Sequence, residues 1–303
     1  MPVEGMHRKV EIKSLVLIAG TARSGSTVLD MMLGTARDSV STGELYAYYR
    51  PWRKHHGAIR CSCGQDECER WRFLDDVPER IAHSELIART DVSTVIDSSK
   101  NLNWIVDSHD FANRSGIRPI VVLVWKEPIA LAYSFWKRDR HDWRSQFVRY
   151  HRRLLETGLP FVSVNHNALV KTPRELLGPL ARCVGLIDAP EAIDEMLQYG
   201  SRAHHHLYGS LTAMSRINGA DNSGLAAEKY DRAFDETRAS IERELPDDEE
   251  LSGLMSAISK NDVRSSAFDA ATLLAHSQAD RHVWYYRRRL RDAITSRFPV
   301  TRR

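Results

Sequence analysis

The sequence predicts an α/β protein in which helices cover a central parallel sheet. Short apolar runs, beginning with Leu15 to Ala19, alternate with segments whose apolar residues recur at helical spacing. Strands that alternate with helices are typical of a parallel sheet with right-handed crossovers. A turn rich in glycine and serine, Gly20 to Thr27, joins the first apolar run to the first helical segment. These two features determine the predicted class.

The individual elements follow from residue type and periodicity along the chain. Short runs of apolar and β-branched residues predict strands at Leu15–Ala19, Ser39–Thr42, Thr94–Ile96, Pro119–Trp125 and Phe161–Asn165. Apolar residues three and four positions apart predict helices at Ser26–Ala36, Leu102–Asn113, the stretch after Pro128, Arg144–Glu156 and Arg174–Val184. The segment Arg50 to Trp71 is rich in charged residues, histidine and cysteine, and we expect it to be an irregular insertion.

No internal repeat or low-complexity linker divides the 303 residues, so we expect a single domain over residues 1–303. Its core is expected at about residues 14–216, followed by a charged and mostly helical part at about 217–303. The last predicted helix, Asp280 to Phe298, carries many arginines beside an apolar stripe. A helix docked on the domain with a solvated basic face fits this pattern best, and binding to a membrane surface or to nucleic acid is the alternative.

The overall composition excludes several classes of protein. Hydrophobic residues make up 42% and charged residues 27%, and the net charge is only +3, so no global field favours nucleic acid. The N-terminal segment lacks the apolar stretch of a signal peptide. The most apolar run, Ile117 to Trp136, is interrupted by Lys126, Glu127 and Pro128, so no transmembrane segment is expected. Four cysteines are too few for a disulfide scaffold of this size, and the cytoplasm is the expected compartment.

The turn after the first strand has the frame of a Walker A phosphate loop, G-x-x-x-x-G-K-[ST], with Ser26 in place of the lysine. Its glycines let consecutive N–H groups point inward, and the helix N-terminus adds about half a positive charge, so the loop predicts an anion site. Without the lysine an ordinary ATP or GTP hydrolase is disfavoured, because catalysis there depends on that lysine and Mg²⁺. Arg23 supplies a different cation. The loop thus predicts a P-loop-like three-layer sandwich, and a plain strand-to-helix turn is the alternative.

This loop and a second segment resemble the PAPS-dependent sulfotransferases (PAPS is 3′-phosphoadenosine 5′-phosphosulfate) of the bacterial type, similar to carbohydrate and tyrosylprotein sulfotransferases. In that family an arginine after a later strand, and a serine eight residues on, bind the 3′-phosphate. Here Lys126 and Ser134 have that spacing, and the lysine keeps the charge without the bidentate fork. The resemblance implies PAPS as co-substrate and 3′,5′-diphosphoadenosine as product. It implies cofactor-binding contacts from Thr21, Ala22, Arg23, Ser24, Gly25, Ser26, Thr27, Lys126 and Ser134.

Two further segments resemble parts of the family. Val164 to Pro173 is similar to a stretch that carries an acidic pair, but Asn167 and Ala168 replace that pair, and we assign the stretch no function. His206 to Ser210, together with Arg216, is similar to a loop that closes over the nucleotide in relatives. The helical remainder of the chain adds nothing to the resemblance.

Sulfuryl transfer requires donors around the leaving phosphate and one group that accepts the proton of the acceptor hydroxyl. The resemblance implies that a lysine or serine of Asp97 to Lys100 contacts the bridging oxygen, and Lys100 is the predicted residue. Arg23 is the second predicted catalytic cation. Gly43-Glu44 resembles the position of the catalytic glutamate in tyrosylprotein and some carbohydrate sulfotransferases, so Glu44 is the predicted base. An exposed carboxylate without a catalytic role is the alternative for Glu44.

Four clusters directly follow the carboxyl ends of predicted strands: Gly20–Thr27, Gly43–Glu44, Asp97–Lys100 and Lys126–Ser134. In open α/β sheets this edge is where ligands bind. Two neighbouring residues have other interpretations. His109 is a reserve candidate for the base and is expected on a helix surface, whereas Asp97 is expected to be a helix cap or turn residue.

The sequence therefore predicts a sulfotransferase that modifies a hydroxyl of a small-molecule, glycan or lipid acceptor. Two alternatives stay open: a P-loop-type nucleotide or small-molecule kinase, and a non-catalytic nucleotide-binding protein. The acceptor pocket is expected in the loops Leu45 to Trp71 and Met196 to Glu228. Four tryptophans fit either such a pocket or the core: Trp52, Trp71, Trp104 and Trp136.

The predicted insertion contains three cysteines, Cys61, Cys63 and Cys68. With His55 or His56 as a fourth ligand they would suit zinc, but their spacing is not the paired C-x-x-C of common zinc sites. Consecutive histidines, such as His204 to His206, do not share a helix face and do not predict a metal site. A structural loop or a redox-dependent disulfide is the preferred interpretation, and no metal is expected.

Overall fold

The computed structural model of the chain describes residues 13–50, 52, 61–65, 68–90, 92–201, 205–210 and 229–265. Its strands within those residues are β1 (Ser14–Ala19), β2 (Ser39–Gly43), β3 (Thr94–Asp97), β4 (Arg118–Trp125) and β5 (Phe161–Asn165). They form a five-stranded sheet in the order β2-β3-β1-β4-β5. The expected central sheet is confirmed.

Neighbouring strands of this sheet run parallel. β3 pairs in parallel with both β1 and β2, and β4 pairs in parallel with β5. Every residue of β1 is buried, as expected for a strand whose two faces are both covered by helices. The register between β2 and β3 shifts between Ser41 and Gly43, directly before the predicted base.

The helices of the described residues are α1 (Ser26–Leu33), α2 (Leu45–Tyr48), α3 (Glu69–Arg72), α4 (Ala82–Arg89), α5 (Leu102–Arg114), α6 (Pro128–Trp136), α7 (Trp143–Glu156), α8 (His166–Lys171), α9 (Pro173–Val184), α10 (Pro190–Leu197), α11 (Asp235–Glu244) and α12 (Glu249–Ser259). Local sequence explains several starts. Proline occupies the first position of α6 and α10, and the Asn101 side chain caps α5 by accepting a hydrogen bond from the Trp104 N–H. None of the described helices is long and apolar enough to cross a membrane.

Observed and predicted elements differ mainly where helices are short. α4 and α10, of eight residues each, were not predicted because each spans little more than two turns and buries only two or three side chains, too few for a helical period to be recognised. The described part of the C-terminal region is helical as expected, with α11 and α12. The predicted basic helix Asp280 to Phe298 lies outside the described residues.

The chain divides into two compact units. Unit 1 holds the described residues within Met1–Ile18, Ser26–Ile120 and Pro173–Leu225, and unit 2 holds those within Ala19–Gly25, Val121–Thr172 and Ala226–Arg303. In unit 2, α6 and α11 share an apolar cluster built around Tyr133 and Phe234. A bidentate ion pair from Arg144 to Asp248 joins α7 to the start of α12 in the same unit.

Candidate active site

In unit 2 the loop between β1 and α1 has a backbone set by its glycines and its neighbours. Gly25 has φ +99°, a backbone conformation that residues with a side chain rarely adopt. A Cβ there would also overlap the ring of His166, so both the backbone and the packing require glycine. The Gly20 N–H donates a hydrogen bond of 2.9 Å to the Tyr150 hydroxyl. Burial raises the pKa of Tyr150 well above its ordinary range, so this phenol stays neutral. No sequence pattern indicates the contact from Tyr150.

The loop side chains divide into buried hydroxyls and one partly exposed cation. Thr21 and Ser24 are buried, and the Ser24 hydroxyl has no hydrogen-bond partner within the described residues. Arg23 lies in the left-handed region at φ +72°, which costs about 1–3 kcal/mol for a residue other than glycine. Ala22 is exposed. A strained cation beside buried donor groups fits the predicted anion loop.

In unit 1 the start of α1 contacts the segment 205–210. Ser26 and Thr27, the first residues of the helix, are both buried. The Thr27 hydroxyl accepts a hydrogen bond of 3.2 Å from the Ser210 N–H. The predicted nucleotide-covering segment His206 to Ser210 therefore lies against the helix start, while Arg216 lies outside the described residues.

A buried ion pair connects α1 with the same segment. The Asp30 carboxylate accepts a 2.5 Å hydrogen bond from Ser98 and lies 2.9 Å from His206 Nε2. The other ring nitrogen of His206 donates to the Tyr208 carbonyl at 2.9 Å, so both ring nitrogens face acceptors. Burial alone would lower the pKa of His206, but the Asp30 carboxylate beside it raises that pKa above its ordinary value.

The predicted base and the predicted lysine meet in unit 1. The Lys100 ammonium donates a hydrogen bond to the Glu44 carboxylate, and also to the Ser98 carbonyl at 3.1 Å. Both side chains are about four-fifths buried, with 18% and 20% of their surface exposed. Lys100 lies at φ +62°, so this cation, like Arg23, is held in a strained backbone. The sequence placed both residues after strands, and the structure brings their charges into contact.

Backbone contacts position Glu44. Gly43 has φ +73°, and a Cβ there would collide with the backbone of Leu207, so only glycine permits this approach. The Glu44 N–H donates to the Leu207 carbonyl at 2.7 Å, and the Leu207 N–H donates to Thr42 at 3.0 Å. The Gly43-Glu44 dipeptide is thus fixed by the segment 205–210.

Asp97 is a turn residue, as expected. Its carboxylate accepts hydrogen bonds from the N–H and hydroxyl of Ser99 and from Trp104 Nε1, and His83 Nε2 lies 2.8 Å away. These four groups occupy both oxygens of a fully buried side chain. Asp97 therefore shapes the turn that presents Lys100.

In unit 2 the second predicted pair is also in contact. Lys126 follows β4, and its ammonium donates a 3.0 Å hydrogen bond to the hydroxyl of Ser134 in α6. Both residues are buried. A spacing of eight residues from a strand end to the second turn of the following helix therefore brings the two side chains together.

One expectation about a candidate residue was wrong. His109 was expected on a helix surface, but it is 3% exposed and faces the interior from α5. Buried residues of this helix recur at Leu102, Ile105, His109 and Ala112, and His109 lies on that stripe. The side chain is therefore packed among core residues. Its helical spacing from the neighbouring apolar positions is the sequence feature that indicates this burial.

The tryptophans are mainly core residues. Trp71 and Trp104 are buried, and their indole N–H groups donate to the His205 carbonyl and to Asp97. Trp136 packs against the apolar cluster of unit 2. Trp52 is 74% exposed. Asn165, in the stretch without an assigned function, caps α8 by accepting hydrogen bonds from two backbone N–H groups.

Two solved structures resemble this fold. A sulfotransferase domain from the curacin biosynthetic pathway superimposes with a TM-score of 0.53 and 15% identity, covering 82% of this chain and 98% of that domain. A sulfotransferase domain from the Synechococcus PCC 7002 olefin synthase gives a TM-score of 0.44 and 17% identity, covering 77% of this chain and 90% of that domain. No protein-family model and no curated protein matches the sequence. The first likeness shows that the chain has the fold of a sulfotransferase domain.

Proposed function

We propose that this protein transfers a sulfuryl group from PAPS to a hydroxyl of a small-molecule, glycan or lipid acceptor. The observation that carries the proposal is the contact between the Glu44 carboxylate and the Lys100 ammonium in a sulfotransferase fold. A proton acceptor and a cation for the leaving oxygen are the two groups that the reaction requires.

The proposed step balances as follows. The acceptor oxygen forms a bond to sulfur, and the bond between sulfur and the 5′-phosphate oxygen of PAPS breaks. The electron pair of that bond stays on the phosphate, which leaves as 3′,5′-diphosphoadenosine. The proton of the acceptor hydroxyl passes to Glu44. A carboxylate suits this role because the proton becomes acidic only as the bond to sulfur forms.

The ion pair couples the two halves of this step. Before transfer, the negative charge of Glu44 offsets the positive charge of Lys100. Once Glu44 is protonated, the pair loses its negative member, and the Lys100 cation acts in full on the negative charge that grows on the leaving oxygen. Proton uptake and stabilisation of the leaving group therefore reinforce each other.

The remaining residues are assigned to the nucleotide. Arg23 and the amides and hydroxyls of Thr21 to Thr27 bind the phosphosulfate end in this proposal. Lys126 and Ser134 bind the 3′-phosphate. In support, the observed hydrogen bond from the buried Lys126 ammonium to the Ser134 hydroxyl holds side by side two groups that can each donate to a phosphate oxygen.

Calorimetric titration with 3′,5′-diphosphoadenosine, in parallel with ATP and Mg²⁺, tests the donor. We expect the diphosphate to bind without added metal, and transfer of label from ³⁵S-labelled PAPS to some member of a panel of phenols, sugars and lipid alcohols. Binding of ATP with Mg²⁺, and none of the diphosphate at millimolar concentration, would show a kinase-type protein instead. Binding of the diphosphate to a Glu44→Gln variant that transfers no label would support both assignments together.

A further inference from the structure

Four side chains with metal-binding atoms converge in unit 1. They are Cys61, Cys63, Cys68 and His205, and their ligand atoms all lie within 4.8 Å of one another. His205 Nδ1 lies 3.1 Å from the Cys68 sulfur and 4.0 Å from the Cys61 sulfur. Ligand atoms around a tetrahedral zinc ion are separated by roughly 3.3–3.8 Å, given metal–ligand bonds of about 2.0–2.3 Å. The cluster is close to that spacing.

The backbone brings the histidine to the cysteines. Cys61 forms an antiparallel bridge with Leu207, and the Ser62 N–H donates to the His206 carbonyl at 2.9 Å. The Ser62 hydroxyl accepts from the His206 N–H at 2.9 Å. These bonds join two segments that are more than 140 residues apart in the sequence. They hold His205 beside Cys61.

The cysteine turn itself is closed and presents its amides to sulfur. The Gly64 N–H donates to the Cys61 carbonyl at 3.0 Å. The backbone N–H of Cys63 is directed at the Cys61 sulfur, and that of Gln65 at the Cys63 sulfur. The thiolate is the form of cysteine that binds metal. All four cysteines of the chain are unbridged.

Ligand type and exposure point to a structural zinc ion. Three thiolates and one imidazole form a Cys₃His set, which zinc binds in closed tetrahedral sites. Cys61 and Cys68 are buried, whereas Cys63 is exposed. A metal ion can therefore reach the cluster from the solvent at Cys63. The arrangement also explains why the sequence motif was unconvincing, because the fourth side chain of the cluster, His205, lies 137 residues after Cys68. His55 and His56 lie outside the described residues.

We propose that Cys61, Cys63, Cys68 and His205 bind one Zn²⁺ ion that fixes the segment 205–210 to the cysteine turn. The three thiols release their protons to solvent as the metal binds. No oxidation or reduction takes place.

The proposed ion has a consequence for the candidate active site. The segment that carries His205 also supplies the carbonyl that positions Glu44, the histidine ring that pairs with Asp30 and the amide that contacts Thr27. A metal that immobilises this segment supports all three contacts. Its role is structural, and the ion can be tested independently of the donor and of any activity.

Metal analysis of the full chain, purified without a histidine tag and without added metal, is the first test. We expect close to one zinc ion per chain by inductively coupled plasma mass spectrometry. After removal with a chelator, cobalt(II) should restore binding, with the thiolate-to-metal absorption and visible bands of a tetrahedral ion. Zinc removal should lower the melting temperature reversibly. A metal-free chain that stays metal-free after reduction and incubation with zinc overturns the proposal.

Single substitutions separate the cluster from other thiols. Loss of a residue that supports a metal ligand without binding the metal lowers affinity by roughly 10–100-fold. His205→Ala and Cys68→Ser each remove a proposed ligand, so they should lower zinc affinity by more than this. Cys183→Ala is the matched control, because Cys183 is a buried cysteine in α9 outside the cluster, and this variant should keep its zinc. Unchanged zinc content in His205→Ala would overturn the assignment of the fourth ligand.

Thiol counting gives a readout that does not depend on variant folding. In the native zinc-loaded protein we expect the cluster cysteines to resist alkylation until a chelator is added. A disulfide among Cys61, Cys63 and Cys68 in protein purified under reducing conditions would identify the cluster as a redox pair and overturn the zinc proposal.

Discussion

The buried ionisable groups of the two compact units have different observed hydrogen-bond partners. In unit 1 Lys100 is paired with the Glu44 carboxylate and His206 with the Asp30 carboxylate. In unit 2 the observed hydrogen bond of Lys126 goes to a hydroxyl, and the buried His151 ring donates to a carbonyl. Burial lowers the pKa of His151 to about 4, whereas the carboxylate of Asp30 raises that of His206 despite burial.

The difference matches two kinds of chemistry. A carboxylate paired with a cation can exchange a proton while the cation responds, which suits transfer. An ammonium and a hydroxyl held side by side can both donate hydrogen bonds to a phosphate, which suits anion binding. We therefore expect substitutions in unit 1 to change turnover and substitutions in unit 2 to change nucleotide affinity.

The largest effect is expected for Glu44→Gln. The amide keeps the shape but cannot accept the proton, so kcat should fall by about 10²–10⁴-fold, the range for loss of a general base. Affinity for 3′,5′-diphosphoadenosine should change little. Glu85→Gln, an exposed carboxylate of α4 paired with Arg89, is the matched control. Full activity in Glu44→Gln would show that another group is the base. It would also contradict the expectation that substitutions in unit 1 change turnover.

Lys100→Met should have the next largest effect. Removal of one preorganised donor to a developing negative charge costs about 3–4 kcal/mol of barrier, so kcat should fall roughly 10²–10³-fold. Lys171→Met, at an exposed position of α8, is the control for loss of a lysine. Steady-state kinetics with the acceptor identified by the labelled-PAPS assay measure the effect. A rise in KM for PAPS with unchanged kcat would reassign Lys100 to binding.

The neutral His151 should make the protein less stable in acid. Its folded pKa of about 4 lies below the 6.5 of the unfolded chain, so the unfolded state binds the proton more readily. Stability from this group is complete above pH 6.5 and falls as the pH drops toward 4, by up to roughly 3 kcal/mol. Urea denaturation of wild type and His151→Asn at several pH values measures it.

The difference in unfolding free energy between the two proteins should change between pH 6.5 and 4 and level off below. A constant difference would mean that folding does not lower the pKa of His151. An NMR titration of the His151 ring in the wild-type protein gives the same answer if the variant does not fold.

The smallest effects are expected in the Lys126–Ser134 pair. Lys126→Met should weaken binding of 3′,5′-diphosphoadenosine about 10–100-fold, because hydrogen bonds from charged groups contribute roughly 1.5–3 kcal/mol. Ser134→Ala should weaken it by less than about tenfold. Calorimetry measures both affinities, and kcat at saturating PAPS should stay close to wild type. Unchanged affinity in Lys126→Met would place the 3′-phosphate elsewhere.

Local pattern was sufficient for much of the fold and part of the candidate site. Continuous apolar runs identified the strands to within one or two residues, because a buried parallel strand has no polar face. The pair Lys126 and Ser134 was predictable because one strand end and one helix fix the distance between them. His109 was also predictable from its place on the apolar stripe of α5, but was misjudged.

The sequence by itself determined the order and type of the elements, the glycine loop without its lysine and the positions of Glu44 and Lys100 after their strands. Only the tertiary structure decided which charges meet: Glu44 with Lys100 across 56 residues, Asp30 with His206 across 176, and the cysteines with His205. Periodicity and turn chemistry act over a few residues and can be recognised in the sequence. Pairing of distant side chains depends on how the whole chain closes, and no local pattern encodes it.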